Sequence, residues 1–385
     1  MAGEHARTSA GSAEDRHRAE IAGPGHEVLG LGLTRRRLLA SAVFVVSSVA
    51  FLYFALPKLL GLQETWNRIQ RGDPWWLAVA ALFTVLSFAA YVWLFRAVFV
   101  RSESRIGWRA SYEITMAGLA ATRLFAAGGA GGVALTAWAL RRSGMGPRTV
   151  AARMIAFLVL LYGVYMATLV IDGLGLYTGA FPGSAPFAIT VIPAIFAAVV
   201  IALFLATAFV PGDLERAVFR WTTAEHWGGR VARRLAALPT TASTGVRTAL
   251  GLVRSGDPAL LGTIAWWALN IAILWACFHA FGSAPAQAVI VMAYFVGMLG
   301  NLLPLPGGVG GVDGGMIGAF TAFGVNVELS VVAVLAYRAF AFWLPTLPGA
   351  VAYLQLRRTV NRWKIAEEAD PVTEPAGRPG APSYS

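Results

Sequence analysis

The sequence contains few of the side chains that soluble folds and catalytic sites use. Charged residues make up 13% of the 385-residue chain, hydrophobic residues make up 57%, and the mean hydropathy is +0.62. A soluble fold cannot hide so much apolar surface, so the excess must face lipid. The single cysteine, Cys277, excludes an intrachain disulfide or a cysteine cluster. The composition therefore predicts an integral membrane protein.

Patterns that carry catalysis are also scarce. The sequence shows no carboxylate pair, Ser-His-Asp set or metal cluster, and no Gly-Lys-Ser/Thr follows its glycine clusters as it does in a nucleotide-binding loop. We therefore expect a protein that is not an enzyme and that needs no cofactor or metal. A membrane-embedded transferase is the less favoured alternative.

The formal net charge is +11, and the arginines are grouped at the ends of apolar runs. This arrangement is typical of the positive-inside rule, so we expect no nucleic-acid partner. The rule places both termini and the basic connector, residues 211–256, in the cytoplasm of a multi-pass protein in the cell (plasma) membrane. We predict disordered cytoplasmic tails over residues 1–34 and 359–385, with the membrane domain over residues 35–358.

Six apolar stretches are long enough to cross a bilayer at a rise of about 1.5 Å per residue. The first follows three consecutive arginines and is expected to be an uncleaved helix. The predicted spans are residues 38–56, 75–95, 154–171, 187–210, 260–281 and 329–347.

Two glycine-rich segments interrupt this pattern and resemble each other. Each has a helix, then Gly-Gly-x-Gly-Gly (residues 128–132 and 307–311), then a short apolar helix and a glycine, Gly144 or Gly324. Broken backbone within a membrane must be buried in protein or line a cavity, so we predict two re-entrant helical hairpins. Their charge contexts orient them oppositely, which predicts an all-α transmembrane bundle with two inverted repeats. Alternatively, the glycines serve close helix packing.

A family resemblance appears at the second glycine cluster. The chain reads Asn-Leu-Leu-Pro-Leu-Pro-Gly-Gly-Val-Gly-Gly-Val-Asp from Asn301 to Asp313, followed by Gly324 and Tyr337-Arg338. This pattern resembles the lysylphosphatidylglycerol synthase transmembrane-region family of flippase-like membrane proteins, in which a glutamate usually stands where this chain has Asp313. The resemblance implies lipid translocation or assistance to lipid modification. The soluble aminoacyl-transferring domain of full-length synthases has no room in this chain, so lysine transfer is not implied.

Ionisable side chains within apolar spans are costly and are therefore candidates for function. Arg338 lies centrally in its span, where it either binds a substrate phosphate or forms a structural ion pair with Asp313. Asp313 is either that partner or a proton-coupling carboxylate. Arg123 either lines the same cavity or anchors a helix end. Asp172 lies near a helix end, where we expect it to be solvated.

Further candidates lie around these residues. Arg153, near the start of its helix, either joins the substrate site or extends to the interface, and Glu113 neutralises either Arg109 or Arg123. Free amides of the glycine clusters are predicted to bind an anion at broken helix ends. These candidate substrate-binding glycines are Gly128, Gly129, Gly131, Gly307, Gly308 and Gly310.

Together these features favour a flippase-like carrier of an anionic phospholipid or lipid-linked phosphate, which works by alternating access with hairpins that gate opposite faces. The alternative is a non-transporting membrane partner that holds a lipid-modifying enzyme or glycosyltransferase through the basic connector. The expected partners are an anionic lipid head group and, in the alternative, that membrane-associated enzyme. The lipid and the oligomeric state are left open.

The predicted topology can be tested by cysteine labelling from outside the cell. A cysteine placed at Glu64, in the predicted external connector, should react with a membrane-impermeant reagent, whereas a cysteine placed at Glu225, in the cytoplasmic connector, should not. Both should react in detergent-opened membranes. Labelling at position 225 but not at position 64 would overturn the topology.

Overall fold

The computed structural model describes residues 71–100, 106–124, 130–208, 243–256, 258–302, 308 and 310–369, all of which belong to one compact unit, Tyr53–Ser385. These residues form helices and connecting turns, with no strand among them. The named α-helices are α1 Pro74–Phe99, α2 Trp108–Leu124, α3 Ala130–Arg142, α4 Pro147–Tyr177, α5 Phe187–Ala208, α6 Ala259–Phe281, α7 Gln287–Met298, α8 Gly311–Ala322, α9 Val327–Arg338 and α10 Thr346–Ala369. A 3-10 turn, Leu299–Leu302, follows α7, a π-helix, Ala339–Trp343, follows α9, and residues 243–254 are also helical.

Five helices in the described part of the chain are long and apolar enough to cross a membrane, and they coincide with five predicted spans. The all-α membrane bundle predicted from the sequence is therefore confirmed. The last span runs from Val327 to Trp363 and includes α9, the π-helix and most of α10. The first predicted span, residues 38–56, lies outside the described residues, as do the predicted tail 1–34 and residues 211–242 of the connector.

The predicted C-terminal boundary needs a correction. The sequence placed a disordered tail from residue 359, but α10 continues to Ala369. This helix packs its inner face on α2, with Leu356 and Val360 buried, although its last turns are rich in charged residues. This packing, rather than composition, maintains the helix past residue 358, because the tertiary contact outweighs the polar residues that follow.

Each glycine-rich segment forms an antiparallel pair of helices in close contact. In the first pair, Gly118 of α2 faces Gly132 of α3, where an added Cβ would overlap the Gly118 carbonyl. In the second pair, Gly297 of α7 and Gly300 of the 3-10 turn that follows it face α8, and a Cβ on Gly315 would lie 3.1 Å from Gly297. These glycines therefore lie at close helix contacts, as the alternative interpretation expects.

The helices α3, α7 and α8 have 12 or 13 residues, so each is about 20 Å long at most. A helix of this length is too short to cross a hydrocarbon core of about 30 Å. The short paired helices agree with the expectation of hairpins that enter and leave by one face. Re-entry itself stays a prediction.

The two glycine hairpins occupy corresponding places in the packing. α1 and α6, which precede the hairpins, run antiparallel, because Asp73 before α1 donates its N–H to the Ala280 carbonyl near the end of α6 at 2.9 Å, while Gly262 near the start of α6 packs on Leu94. α2 packs on α10 of the second half, and α7 packs on α4 of the first half. This reciprocal packing is what two copies related by a half-turn would produce, although the inverted repeat also stays a prediction.

Two aromatic side chains with polar atoms bind helix α4 to the second half. Tyr165 donates its hydroxyl to the Phe295 carbonyl on α7 at 2.7 Å, and Trp267 on α6 donates its indole N–H to the Leu161 carbonyl at 2.8 Å. The three rings of Tyr165, Trp267 and Phe295 also pack on one another, with centroids 4.7 to 5.5 Å apart. Aromatic residues with a polar atom thus place α4 beside α6 and α7 of the second half.

The close contact within the first hairpin predicts a local difference between two glycines. Gly132→Ala should lower the free energy of unfolding by about 1–3 kcal/mol, because its methyl group would overlap backbone atoms of α2. Gly163→Ala, in the middle of α4 with nothing within 4 Å of its Cβ position, should leave stability equal or higher, since alanine favours helix. Thermal unfolding of the purified protein in one detergent measures both variants. Equal melting temperatures would show that α2 and α3 are not in contact at Gly132.

Candidate functional site

A buried ion pair joins the second glycine cluster to the last membrane span. The Nε atom of Arg338 pairs with Oδ1 of Asp313, and its Nη2 atom donates to Oδ2 at 3.4 Å. Asp313 is 1% exposed and Arg338 is 4% exposed, so the pair lies inside the bundle. The structure thus brings together the two residues that the sequence singled out first.

Helix geometry explains why these residues meet. Asp313 lies nine residues before the end of α8, and Arg338 lies eleven residues after the start of α9. At 1.5 Å per residue these are about 14 and 17 Å, so the turn between two antiparallel helices places both side chains at one level. Gly324 in that turn has φ +83°, and Asn326 caps α9 by accepting the Leu329 N–H at 3.0 Å. A left-handed glycine and an N-cap therefore set the register of the ion pair.

Asp313 also secures the entry into α8. Gly310 has φ +83°, which disfavours any residue with a Cβ, and its N–H donates to Oδ2 of Asp313 at 2.9 Å. Gly308, with φ +67°, is in the same left-handed region. The carboxylate thus stabilises a helix N-terminus and an arginine at once, and the Gly310 amide, a predicted anion donor, is occupied by Asp313 in this conformation.

Arg123 binds the broken backbone of the last span. Its Nη1 and Nη2 atoms donate to the carbonyls of Phe342 at 3.0 Å and Ala341 at 2.9 Å, which lie in the π-helix. In a continuous helix the Ala341 carbonyl would accept from residue 345, but Pro345 has no N–H to donate. The planar guanidinium of Arg123 replaces that donor. A residue of α2, in the first half, thus binds the π-helix of the second half.

The ring of Phe342 lies against both arginines. The guanidinium carbon of Arg338 is 4.4 Å from the ring centroid, and that of Arg123 is 5.1 Å from it. Arg123, Arg338 and Asp313 together carry a formal charge of +1, so this group, which we call the arginine cluster, has an excess of positive charge within an apolar bundle. A phosphate group has the charge and the acceptor geometry that two guanidinium groups prefer.

Two tyrosines that the sequence analysis did not select border the arginine cluster. Tyr337 precedes Arg338 and donates its hydroxyl to the Tyr294 hydroxyl at 3.2 Å, and both residues are buried. Tyr337 was visible within the family pattern beside Arg338. Tyr294 carries no local signal, because it lies in an apolar helix and reaches Tyr337 through packing alone.

Glu113 lies apart from the arginine cluster. It accepts from Arg109 Nε at 3.0 Å and from the Thr359 hydroxyl at 2.6 Å, and it is fully buried. The choice between Arg109 and Arg123 as its partner is therefore decided for Arg109. Glu113 links α2 to α10 and is a packing contact between the two halves.

The remaining predicted site residues are Arg153 and the glycines Gly128, Gly129, Gly131 and Gly307. Arg153 donates from Nη1 to the carbonyl of Phe99, the last residue of α1, at 2.8 Å, so it caps a helix end. Gly131 is the second residue of α3. Gly128, Gly129 and Gly307 lie outside the described residues. Among the described residues no group of three His, Cys, Asp or Glu side chains lies close enough to hold a metal ion.

The ion pair predicts strong coupling between two substitutions. Asp313→Asn and Arg338→Met should each lower the free energy of unfolding by about 3–5 kcal/mol, because each leaves an unpaired charge inside the bundle. The double variant should cost less than the sum of the two. Denaturant unfolding of the four proteins in the same detergent measures the coupling, and additive losses would mean that the two side chains do not interact in solution.

Comparison with known proteins finds relatives that match parts of this chain. Segments of UPF0104 membrane proteins from Methanothermobacter thermautotrophicus are 34% identical over 91 residues, covering 23% of this chain and 26% of the relative, and 34% identical over 87 residues, covering 22% and 26%. A third match is 32% identical over 116 residues, covering 28% and 35%. This chain thus spans about a quarter to a third of the relatives' length.

A second comparison covers far more of the chain. The family described as Lysylphosphatidylglycerol synthase TM region matches residues 37–349, which include every described element from α1 to the start of α10. Both hairpins, the ion pair, the π-helix and Arg123 lie within that match. The chain therefore belongs to the lysylphosphatidylglycerol synthase TM-region family of membrane proteins.

Proposed function

We propose that this protein is a flippase-like carrier that moves an anionic phospholipid or a lipid-linked phosphate from one leaflet to the other. The observation that carries this proposal is the arginine cluster, in which two guanidinium groups contact the ring of Phe342 and one of them pairs with a buried carboxylate. Retaining two arginines at this depth is costly, which makes them candidates for binding a substrate charge. Membership of a membrane-protein family agrees with this activity at the level of class.

Both arginines have exchangeable partners. Arg123 donates to two backbone carbonyls and Arg338 pairs with Asp313, so a phosphate that enters the arginine cluster would compete with neutral carbonyls on one side and with a carboxylate on the other. Replacing the carbonyls is the easier step, because an anionic phosphate attracts the Arg123 guanidinium more strongly than an uncharged carbonyl does, whereas at Arg338 it competes with a carboxylate that is also anionic. We infer that Arg123 is the first to bind the phosphate and that Asp313 returns Arg338 to its closed position afterwards.

The proposed cycle is alternating access between two closed ends. The described conformation has Asp313 and Arg338 buried, so it corresponds to an occluded state in which neither leaflet reaches the ion pair. The two glycine hairpins, as inverted repeats, would open the arginine cluster to opposite faces in turn. Rupture of the contacts from Arg123 to the π-helix would separate the first hairpin from the last span.

The remaining parts of the proposal concern place and partners. We propose that the protein resides in the cell (plasma) membrane with both termini in the cytoplasm, from the grouping of its arginines. Its partner is the anionic head group of a membrane lipid, and it moves that lipid without chemical change. Native mass spectrometry of the purified protein identifies the bound lipid.

A second candidate function has one observation in its favour. Asp313 and Arg338 satisfy each other in a buried contact, which is also what a structural ion pair requires. In that case the protein is a non-transporting membrane partner that holds a lipid-modifying enzyme or glycosyltransferase at the membrane. Lipid movement by the purified protein alone, with no added enzyme, decides between the two functions.

Reconstitution into liposomes tests the role of Arg338. Arg338→Lys keeps the charge but loses the planar two-pronged contact, so labelled anionic lipid should move about tenfold more slowly, as expected for losing about 1.5 kcal/mol of charge-assisted hydrogen bonding. Arg338→Ala should be slower still, because Asp313 then loses its counter-charge.

Arg148→Lys provides the matched control, since Arg148 is exposed in the first turn of α4 and should keep the parent rate. All proteins are compared at equal reconstituted amounts, with folding checked by the melting temperature. If both Arg338 variants move lipid as fast as the parent, Arg338 is structural and the proposed site is wrong.

A further inference from the structure

A second acid lies in a membrane span, away from the arginine cluster. Asp172 in α4 is 6% exposed, and its Oδ2 atom is buried with no hydrogen-bond partner among the described residues. The sequence-based expectation that Asp172 is solvated at a helix end was therefore wrong. The expectation failed because α4 continues to Tyr177, which places Asp172 inside the helix.

Packing explains the burial of Asp172. Residues at helical spacing on the same side of α4, Tyr165, Leu169 and Leu176, are each 3% exposed or less. At the next residue, Gly173, an added Cβ would lie 2.6 Å from the Thr190 carbonyl on α5 and 3.3 Å from the Met292 side chain on α7. The absence of a side chain at Gly173 lets three helices converge on the turn that carries Asp172.

The helices packed around this turn provide no countercharge. α5 contains no ionisable side chain, and the one on α7 is Tyr294, whose hydroxyl bonds to Tyr337. On α6, Cys277 is buried as a free thiol and His279 stacks on Trp76 with centroids 4.6 Å apart. On α4 itself, Tyr165 donates to the Phe295 carbonyl.

The two remaining helices packed on α4 are α1 and α3, and their arginines are either bonded to another residue or exposed. Arg96 of α1 donates to Ser111 at 3.0 Å, and Tyr91 of α1 packs on Phe157 in the first half of α4. Arg141 and Arg142 are exposed at the end of α3, which the short connection before Pro147 places at the start of α4. Asp172, in the last turns of α4, therefore has no described cationic partner.

The bound species that fits this site is a proton. A carboxylate held in an apolar setting without a partner is stabilised by taking up a proton and becoming neutral. A metal cation is a poorer fit, because hard cations take six or more oxygen ligands and no group of three possible ligands is present among the described residues. A proton needs one oxygen, and Asp172 has one that is buried without a donor.

The neighbouring helix α5 also has a carbonyl that lacks its usual helical donor. Pro193 lies inside α5 and has no N–H, so it cannot donate to the carbonyl of Ile189. Ile189 precedes Thr190, whose own carbonyl lies beside Gly173. A protonated carboxyl gains a donor that needs such an acceptor, whereas the ionised form has no donor to offer.

We propose that Asp172 is the proton-binding site that couples lipid movement to a transmembrane proton gradient. This inference rests on the proposed function, and it assigns coupling to Asp172 in place of Asp313. The oxygens of Asp313 already serve Arg338 and the Gly310 amide, whereas the Oδ2 atom of Asp172 serves no described residue. In each cycle the carboxylate takes up one proton from one side and releases it to the other, with its charge changing between −1 and 0.

Infrared difference spectroscopy between acidic and alkaline buffer tests proton binding directly, without any transport. The reconstituted parent should show the carbonyl band of a protonated carboxyl, and this band should be lost in Asp172→Asn and shifted but kept in Asp172→Glu. The matched control is Asp73→Asn, because Asp73 is the exposed N-cap of α1 and asparagine caps equally well. An unchanged band in Asp172→Asn would overturn the proton site.

Transport in the same vesicles tests coupling. With one proton per lipid, a gradient of one pH unit should drive labelled lipid to a leaflet ratio of about tenfold. Asp172→Asn should lose this accumulation and keep exchange without a gradient, while Asp73→Asn should match the parent. If the parent moves lipid but ignores the gradient, coupling at Asp172 is wrong and the carrier function stands. If the parent moves no lipid, the proposed function fails together with coupling, and the infrared band alone decides proton binding.

Discussion

Peptide groups inside a bilayer have no water to bond, so every interruption of a membrane helix leaves a backbone donor or acceptor that the protein must satisfy. In this protein charged side chains meet that requirement. Arg123 donates to the carbonyl of Ala341, whose α-helical donor position is Pro345, and to the carbonyl of Phe342, while Asp313 accepts the N–H of Gly310 at the start of α8. The candidate site exists because the broken backbone and the buried charges stabilise each other.

This arrangement joins parts of the chain that are far apart in sequence. Arg123 lies in the last turn of α2, yet its partners lie 219 and 218 residues later. The ring of Phe342 contacts both guanidinium groups, so a displacement of the π-helix changes the surroundings of Arg123 and Arg338 together. A ligand that bonded to either arginine would therefore bias the contact between the two halves, which is the kind of differential contact that a conformational change requires.

Three buried acids, Asp313, Glu113 and Asp172, differ in the residues that surround them in the structure more than in their sequence context. Asp313 pairs with Arg338 and accepts from the Gly310 amide, and Glu113 accepts from Arg109 and Thr359. Asp172 has a buried oxygen that no described donor reaches. All three are buried, so burial alone does not distinguish them. The difference lies in the partners that packing supplies, and that difference separates a structural contact from a group that is free to exchange a proton.

Hydropathy, which is a local property, determined the helical class and five membrane spans. The pairing of Arg338 with Asp313 could also be anticipated, because the two residues lie at similar distances on either side of one turn between helices. The tertiary structure alone decided the partners of Arg123, the contact of Glu113 with Thr359 and the burial of Asp172. A side chain's neighbours across helices depend on register and rotation in three dimensions, which neither composition nor spacing along the chain specifies.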